Sequence, residues 1–192
     1  PGMALIRTYE KLRFWMQSNN RSQARKNIAY HYDLGNDFYR LWLDETMTYS
    51  SALFDGNPGR PLPLAQQAKY QRILAELALP AGAHILEIGC GWGGFAEVAA
   101  RAGYRVTGLS LSDAQTAWAR ERLARAGLAD RAEFRIEDYR DHRGTYDGVA
   151  SIEMFEAVGE KYWPAYFSTL RRCLAPGGRA CVIAYHSLED RA

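Results

Sequence analysis

The most chemically pointed stretch of the sequence sets a carboxylate directly before spaced glycines: Leu86-Glu87-Ile88-Gly89-Cys90-Gly91-Trp92-Gly93-Gly94. Glycine allows positive φ and, lacking Cβ, lets a ligand approach the backbone. A helix N-terminus would favour a pyrophosphate, but Glu87 beside it would repel one. The loop therefore reads against a dinucleotide, and the double glycine at 93 and 94 only mimics that spacing. Nucleotide-binding α/β folds usually end their second strand on an acid that holds ribose hydroxyls. Here the corresponding stretch is Val106-Thr107-Gly108-Leu109-Ser110-Leu111-Ser112. Ser110, with Leu111 beside it, and Gln115 are the available substitutes. Asp138 and Tyr139 follow the third apolar run, where adenine is usually held. A glycine-rich packing turn for the loop, and a solvated surface role for Asp138, are the plainer alternatives.

Elements that would position these groups follow from periodicity. Asn57-Pro58-Gly59-Arg60-Pro61-Leu62-Pro63 is loop chemistry and divides the chain into an N-terminal helical and aromatic segment, residues 1–57, and a domain over 64–192. Leu5, Ile6, Tyr9, Leu12, Trp15 and Met16 fall near helical spacing, which predicts a helix over 3–17. Residues 28–54 are rich in aromatics (Tyr30, Tyr32, Phe38, Tyr39, Trp42, Tyr49, Phe54), and core packing is expected of Trp42 and Phe54. Beyond the loop, helices are predicted over 64–78, 93–102, 113–126 and 160–173. Strands are predicted over 84–88, 104–109, 132–136, 146–152 and 179–185. Short Val/Ile/Leu runs separated by helices give right-handed crossovers and a doubly wound, mainly parallel sheet of about five strands, with its ligand at the carboxyl ends.

An acid followed by G-x-G at a strand end resembles motif I of class I methyltransferases, in which the methionine part of S-adenosylmethionine lies over the turn. Six blocks in order extend the resemblance to the cyclopropane-fatty-acid synthase family. They are His31–Tyr39, Met47–Phe54, Leu86–Gly94, Gly108–Ser112 with Gln115, Asp138-Tyr139-Arg140-Asp141, and Ser151-Ile152-Glu153-Met154-Phe155-Glu156-Ala157-Val158-Gly159-Glu160. The resemblance implies a Rossmann-like class I methyltransferase fold with an N-terminal helical lid. It implies methylene transfer from S-adenosylmethionine to the cis double bond of an unsaturated phospholipid acyl chain, with bound bicarbonate as base. By position it implies cofactor contacts from Tyr49 and Ser50 and from the loop residues Glu87, Gly89, Cys90, Gly91, Trp92 and Gly93. Ser110, Leu111, Gln115, Asp138 and Tyr139 complete that set. Ser51 (Cys in many members), Ile152 and Glu156 match bicarbonate-site positions, although Glu156 also suits a helix-start acid. His31 matches a lid block, and otherwise reads as a core histidine.

The sequence also departs from that family. The fifth strand carries Ile183 where a Gln or His is usual. Two further strands and a C-terminal covering segment are not seen, so a core segment, a shortened homologue or an engineered chain is expected. Its apolar edge, Ala180 to Tyr185, is expected either to pair with another copy or chain or to be covered by something the sequence does not show. His186–Arg191 resembles a short piece of ribosomal-RNA cytosine methyltransferases, without that family's other features.

The 192 residues are 47% hydrophobic and 24% charged, enough for one sizeable core, and the net charge of +2 identifies no partner. Six basic residues against one acid lie between Arg7 and Lys26, so residues 3–26 suit contact with an anionic membrane surface or a solvated helix face. Cys90, Cys173 and Cys181 lack metal-ligand spacing and cannot all pair, which fits a cytoplasmic protein without a metal, peripheral at most to the inner membrane face. No aromatic-interleaved basic surface argues for nucleic acid. Three functional readings stand: lipid methyl(ene) transfer, methylation of a small amine on the same fold, or cofactor binding without catalysis.

Overall fold

The computed structural model describes residues 35–185. The predicted helix over 3–17, the basic stretch 3–26, His31 and the segment 186–191 lie outside the described residues.

A short helix, α1 (Gly35–Arg40), precedes α2 (Leu62–Leu77), and strands and helices then alternate. The order is β1 (His84–Ile88), α3 (Gly94–Arg101), β2 (Arg105–Ser110), α4 (Asp113–Arg125), β3 (Ala132–Ile136) and β4 (Tyr146–Ile152). Two 3-10 turns (Phe155–Ala157, Glu160–Tyr162), α5 (Trp163–Cys173) and β5 (Leu174–Ile183) follow. All strand pairs are parallel, in the order β3-β2-β1-β4-β5. This is the Rossmann-like class I methyltransferase arrangement expected from the sequence.

Alternation along β1 explains the two layers of core. Ile85 faces one side and packs with Tyr70, Ile73 and Leu77 of α2, Phe95 and Ala99 of α3, and Leu123 of α4. Leu86 and Ile88 face the other side, with Val149, Tyr166 and Leu170. Each large apolar side chain so buried contributes about 1.5–3 kcal/mol. The chain moves outward from β1 to β3, then returns to place β4 on the opposite side of β1. That reversal opens a crevice at the carboxyl ends of β1 and β4, where α/β sheets place their ligands.

Three expectations need adjustment. The helix predicted from 160 begins at Trp163, because Gly159 turns the chain at φ 76° and Pro164 suits only a first helical turn. The last strand begins earlier than predicted, at Leu174, and ends at Ile183, with a register shift opposite Tyr146 and Gly148. Trp42 is not core: it is 48% exposed, its ring packed against Tyr39, Phe38 and Tyr49. Among the described residues β5 is an edge strand, and no helix there is long and apolar enough to cross a membrane.

Candidate functional site

A cavity of about 790 Å³ occupies the crevice at the strand ends. Tyr49 and Ser50, the loop residues Glu87, Gly89, Cys90, Gly91 and Trp92, then Ser110, Leu111, Gln115, Asp138, Tyr139 and Ile152 all line it. The chain between α1 and α2 is fastened over the loop. Trp92 donates its indole N–H to Asn36 at 2.7 Å and packs with Tyr39 and Met47. Arg122 of α4 donates to the Thr46 carbonyl at 2.7 Å, and Gln66 of α2 to the Ser50 carbonyl at 2.8 Å.

Gly89 and Gly91 both hold positive φ, 83° and 49°. A Cβ at Gly91 would meet nothing within 4 Å, so this backbone faces open cavity; at Gly89 it would press Met154 at 3.2 Å. Gly93 differs from the expectation that grouped it with the cofactor contacts. It does not line the cavity, and a Cβ there would lie 2.9 Å from that of Ala119, so its smallness serves helix packing. Gly94 does line the cavity, but a Cβ there would meet the Tyr70 hydroxyl at 2.8 Å.

Glu87 is 2% exposed, and its Oε2 has no hydrogen-bond partner among the described residues. Burial pushes its carboxyl well above the usual range, against the pull of Lys69 and Arg122. A buried carboxylate oxygen left unsatisfied is costly unless a ligand donor meets it. At the end of β2, Ser112 caps α4 by accepting from the Gln115 N–H at 3.2 Å, while Ser110 donates to Gln115 Oε1 at 3.1 Å. The pair is thereby held rigid at the wall. The Asp138 carboxylate accepts from the N–H and guanidinium of Arg140, which fixes the turn that presents Tyr139. Size, open glycine, orphan carboxylate and polar β2 terminus fit S-adenosylmethionine.

Ser51 and Glu156 stand outside the cavity wall and have different partners. The Ser51 N–H and O–H both donate to Glu153 Oε1, at 2.8 and 2.5 Å. Glu156 Oε1 accepts from the Tyr185 N–H at 2.7 Å, and its Oε2 is buried without a partner among the described residues. Bicarbonate does not fit this arrangement. The Ser51 donors are taken by the Glu153 carboxylate, and the Ile183 side chain offers only hydrocarbon.

Reasoning from the sequence missed Lys69, Tyr70, Glu137, Glu153 and Arg140. Lys69 is buried and donates to Ser50 Oγ, to the Ser51 carbonyl at 2.6 Å and to Gln66 Oε1 at 2.7 Å. Burial lowers it to about 8, although Glu153, Glu87 and Asp44 pull the other way. Glu153 lines the cavity at φ 48°, a left-handed conformation costing about 1–2 kcal/mol for a side-chain-bearing residue. Strain of this kind clusters at functional sites. Glu137 accepts from His142 Nδ1 at 3.0 Å when that nitrogen carries the proton.

The family model described as mycolic acid cyclopropane synthetase matches residues 19–191. Tuberculostearic acid methyltransferase UfaA1 of Mycobacterium tuberculosis is 45% identical over 172 residues, covering 86% of this chain and 40% of that protein. Cyclopropane-fatty-acyl-phospholipid synthase of Escherichia coli K12 is 39% identical over 149 residues, covering 77% and 37%. Among solved structures, the cyclopropane synthase MmaA2 from Mycobacterium tuberculosis superposes with a TM-score of 0.78 at 32% identity, over 82% of this chain and 55% of that one. The cyclopropane synthase CmaA1 complexed with SAH and CTAB does so at 0.73 and 33%, over 79% and 53%. The chain spans about two fifths of the length of these curated relatives.

Proposed function

The chain belongs to the mycolic acid cyclopropane synthetase family, and from that premise we propose that it binds S-adenosylmethionine and directs methyl(ene) transfer to the cis double bond of unsaturated phospholipid acyl chains. The observation that carries the proposal is the orphan oxygen of Glu87 beside the open backbone of Gly91, in a cavity at the point where strand order reverses. When bound, the cofactor supplies an electrophilic methyl group on a sulfonium.

This chain's residues then have separable tasks. Glu87 accepts from a ligand hydroxyl or ammonium, Gly89 and Gly91 let the ligand lie on the backbone, and Ser110 with Gln115 receives ribose hydroxyls. Asp138 and Tyr139 border the adenine. Tyr49 and Ser50 close the cavity from the segment fastened over it, with Lys69 as the anchor of that segment. An alkene is a weak nucleophile, so a dry, close placement must supply much of the rate. Ile152, Met154 and Val158 give the wall near β4 its apolar surface. Tyr49 lines the cavity and brings it a π face suited to a developing carbocation. A detergent-like molecule bound to CmaA1, and lipid-acting relatives, support an acyl substrate and contact with a membrane surface.

The test is incubation of the protein with methyl-labelled S-adenosylmethionine and dioleoyl phosphatidylcholine vesicles, with small amines in a parallel arm. Label in the acyl chain supports the proposal; label only in the amines replaces it with small-molecule methylation, and cofactor binding without transfer to either leaves a binding module.

A further inference from the structure

We propose that the Glu153 carboxylate occupies the anion position on Ser51 and is itself the proton acceptor of the reaction, so that the chain takes no external bicarbonate. The proposal rests on the lipid-methylation reading for its chemistry, but its anion-site half stands independently.

Four observations carry it. Both Ser51 donors converge on one oxygen of Glu153, across 102 residues of sequence. The other oxygen has no hydrogen bond among the described residues, and the side chain lines the cavity between Ile152 and Met154. The Glu153 N–H donates to the Ile183 carbonyl at 2.8 Å, which holds the residue at its positive φ and its carboxylate on Ser51. Lys69, donating to the Ser51 carbonyl, supplies a compensating positive charge within electrostatic reach of Glu153. An added anion would have to displace Glu153 from both donors.

The step balances without a further reagent. The alkene π pair forms the new C–C bond to the methyl carbon, and the C–S pair stays on sulfur. The other alkene carbon is left cationic. Glu153 then takes a proton from the new methyl group, whose C–H pair closes the three-membered ring, and the carboxyl passes that proton to water.

The experiment uses the full-length protein loaded with S-adenosylhomocysteine and titrated with 13C-bicarbonate, read by NMR line broadening. The parent should show no saturable binding. Glu153→Gly, which suits the positive φ and frees the Ser51 donors, should gain it. In turnover on dioleoyl phosphatidylcholine vesicles, the parent should be unaffected by CO2-free buffer. Glu153→Gln should lose about 100-fold or more in rate, the scale of a lost general base, with S-adenosylhomocysteine affinity unchanged. Added bicarbonate should restore turnover to Glu153→Gly, a rescue that a purely structural role would not give. Saturable bicarbonate binding by the parent, or parental rates in Glu153→Gln, would overturn the proposal. Bicarbonate binding by Glu153→Gly alone, in a protein that methylates no lipid, would uphold the anion-site assignment and remove the lipid reading.

Discussion

Lys69 Nζ and the Ser51 carbonyl lie 2.6 Å apart, joining the middle of α2 to the segment that closes the cavity. Ser50 Oγ and Gln66 Oε1 take the other two ammonium protons, so the group is saturated. Burial lowers Lys69 to about 8 from its ordinary 10.5. Below pH 8 the folded protein holds a buried charge that the unfolded chain would solvate. Between about pH 8 and 10.5 the unfolded chain binds the extra proton, so this group's contribution to stability rises with pH across that window. Urea unfolding of the parent and Lys69→Met at pH 7, 8, 9 and 10 should show the difference shifting toward the parent as pH rises. A difference flat with pH would contradict this account of Lys69.

Gly91→Val is expected to abolish cofactor binding while leaving a folded protein. The branched side chain would enter open cavity where the ligand meets the backbone, and it would carry a φ of 49°. Calorimetry with S-adenosylhomocysteine should show affinity reduced by roughly 100-fold or more, about 2.7 kcal/mol. Unchanged affinity would remove Gly91 from the site.

Gly93→Ala should do the reverse. The new methyl would press the Ala119 Cβ at 2.9 Å at a φ of 80°, so stability should fall by about 1–3 kcal/mol. Denaturation measures the loss, and residual affinity for S-adenosylhomocysteine in the folded fraction should stay near the parent's. A large affinity loss at full stability would return Gly93 to the cofactor wall.

How legible this was in the sequence varies with the distance over which each feature is made. β1 and β4 were readable because Ile85, Leu86, Val149 and Ala150 sit in short apolar runs bounded by turn residues. The glycine loop was readable because carboxylate, glycines and strand end are adjacent in sequence. Pro164 could have moved the start of α5 to Trp163, and its signal was overlooked. Lys69 was not readable: a lysine in a helix normally faces water, and only the convergence of Ser50, Ser51 and Gln66 buries it. Glu153 stood inside a recognised block, but its partner Ser51 reaches it through tertiary structure alone. Gly89, Gly91 and Gly93 look alike as letters, and their roles separate only when their neighbours are known.

Glu156→Gln addresses the carboxylate hydrogen-bonded to the chain that follows β5. Its Oε1 accepts the Tyr185 N–H and its Oε2 is buried and unpartnered among the described residues, so the amide keeps the shape and removes the charge. Turnover and S-adenosylhomocysteine affinity should both stay within about threefold of the parent's, since Glu156 stands outside the cavity wall and the amide oxygen still accepts the Tyr185 N–H. Parallel losses in rate and affinity would instead make Glu156 part of the general architecture of the cavity.

The central claim is methyl(ene) transfer from S-adenosylmethionine, bound over Glu87 and Gly91, to an unsaturated acyl chain. Its most direct test is mass spectrometry of dioleoyl phosphatidylcholine after incubation with the full-length protein and methyl-labelled cofactor, with Gly91→Val as the control. With the parent protein, acyl chains should become labelled and heavier by one methylene group, and with Gly91→Val none should. Unmodified acyl chains in the presence of demonstrated cofactor binding, or equal modification by Gly91→Val, would contradict it.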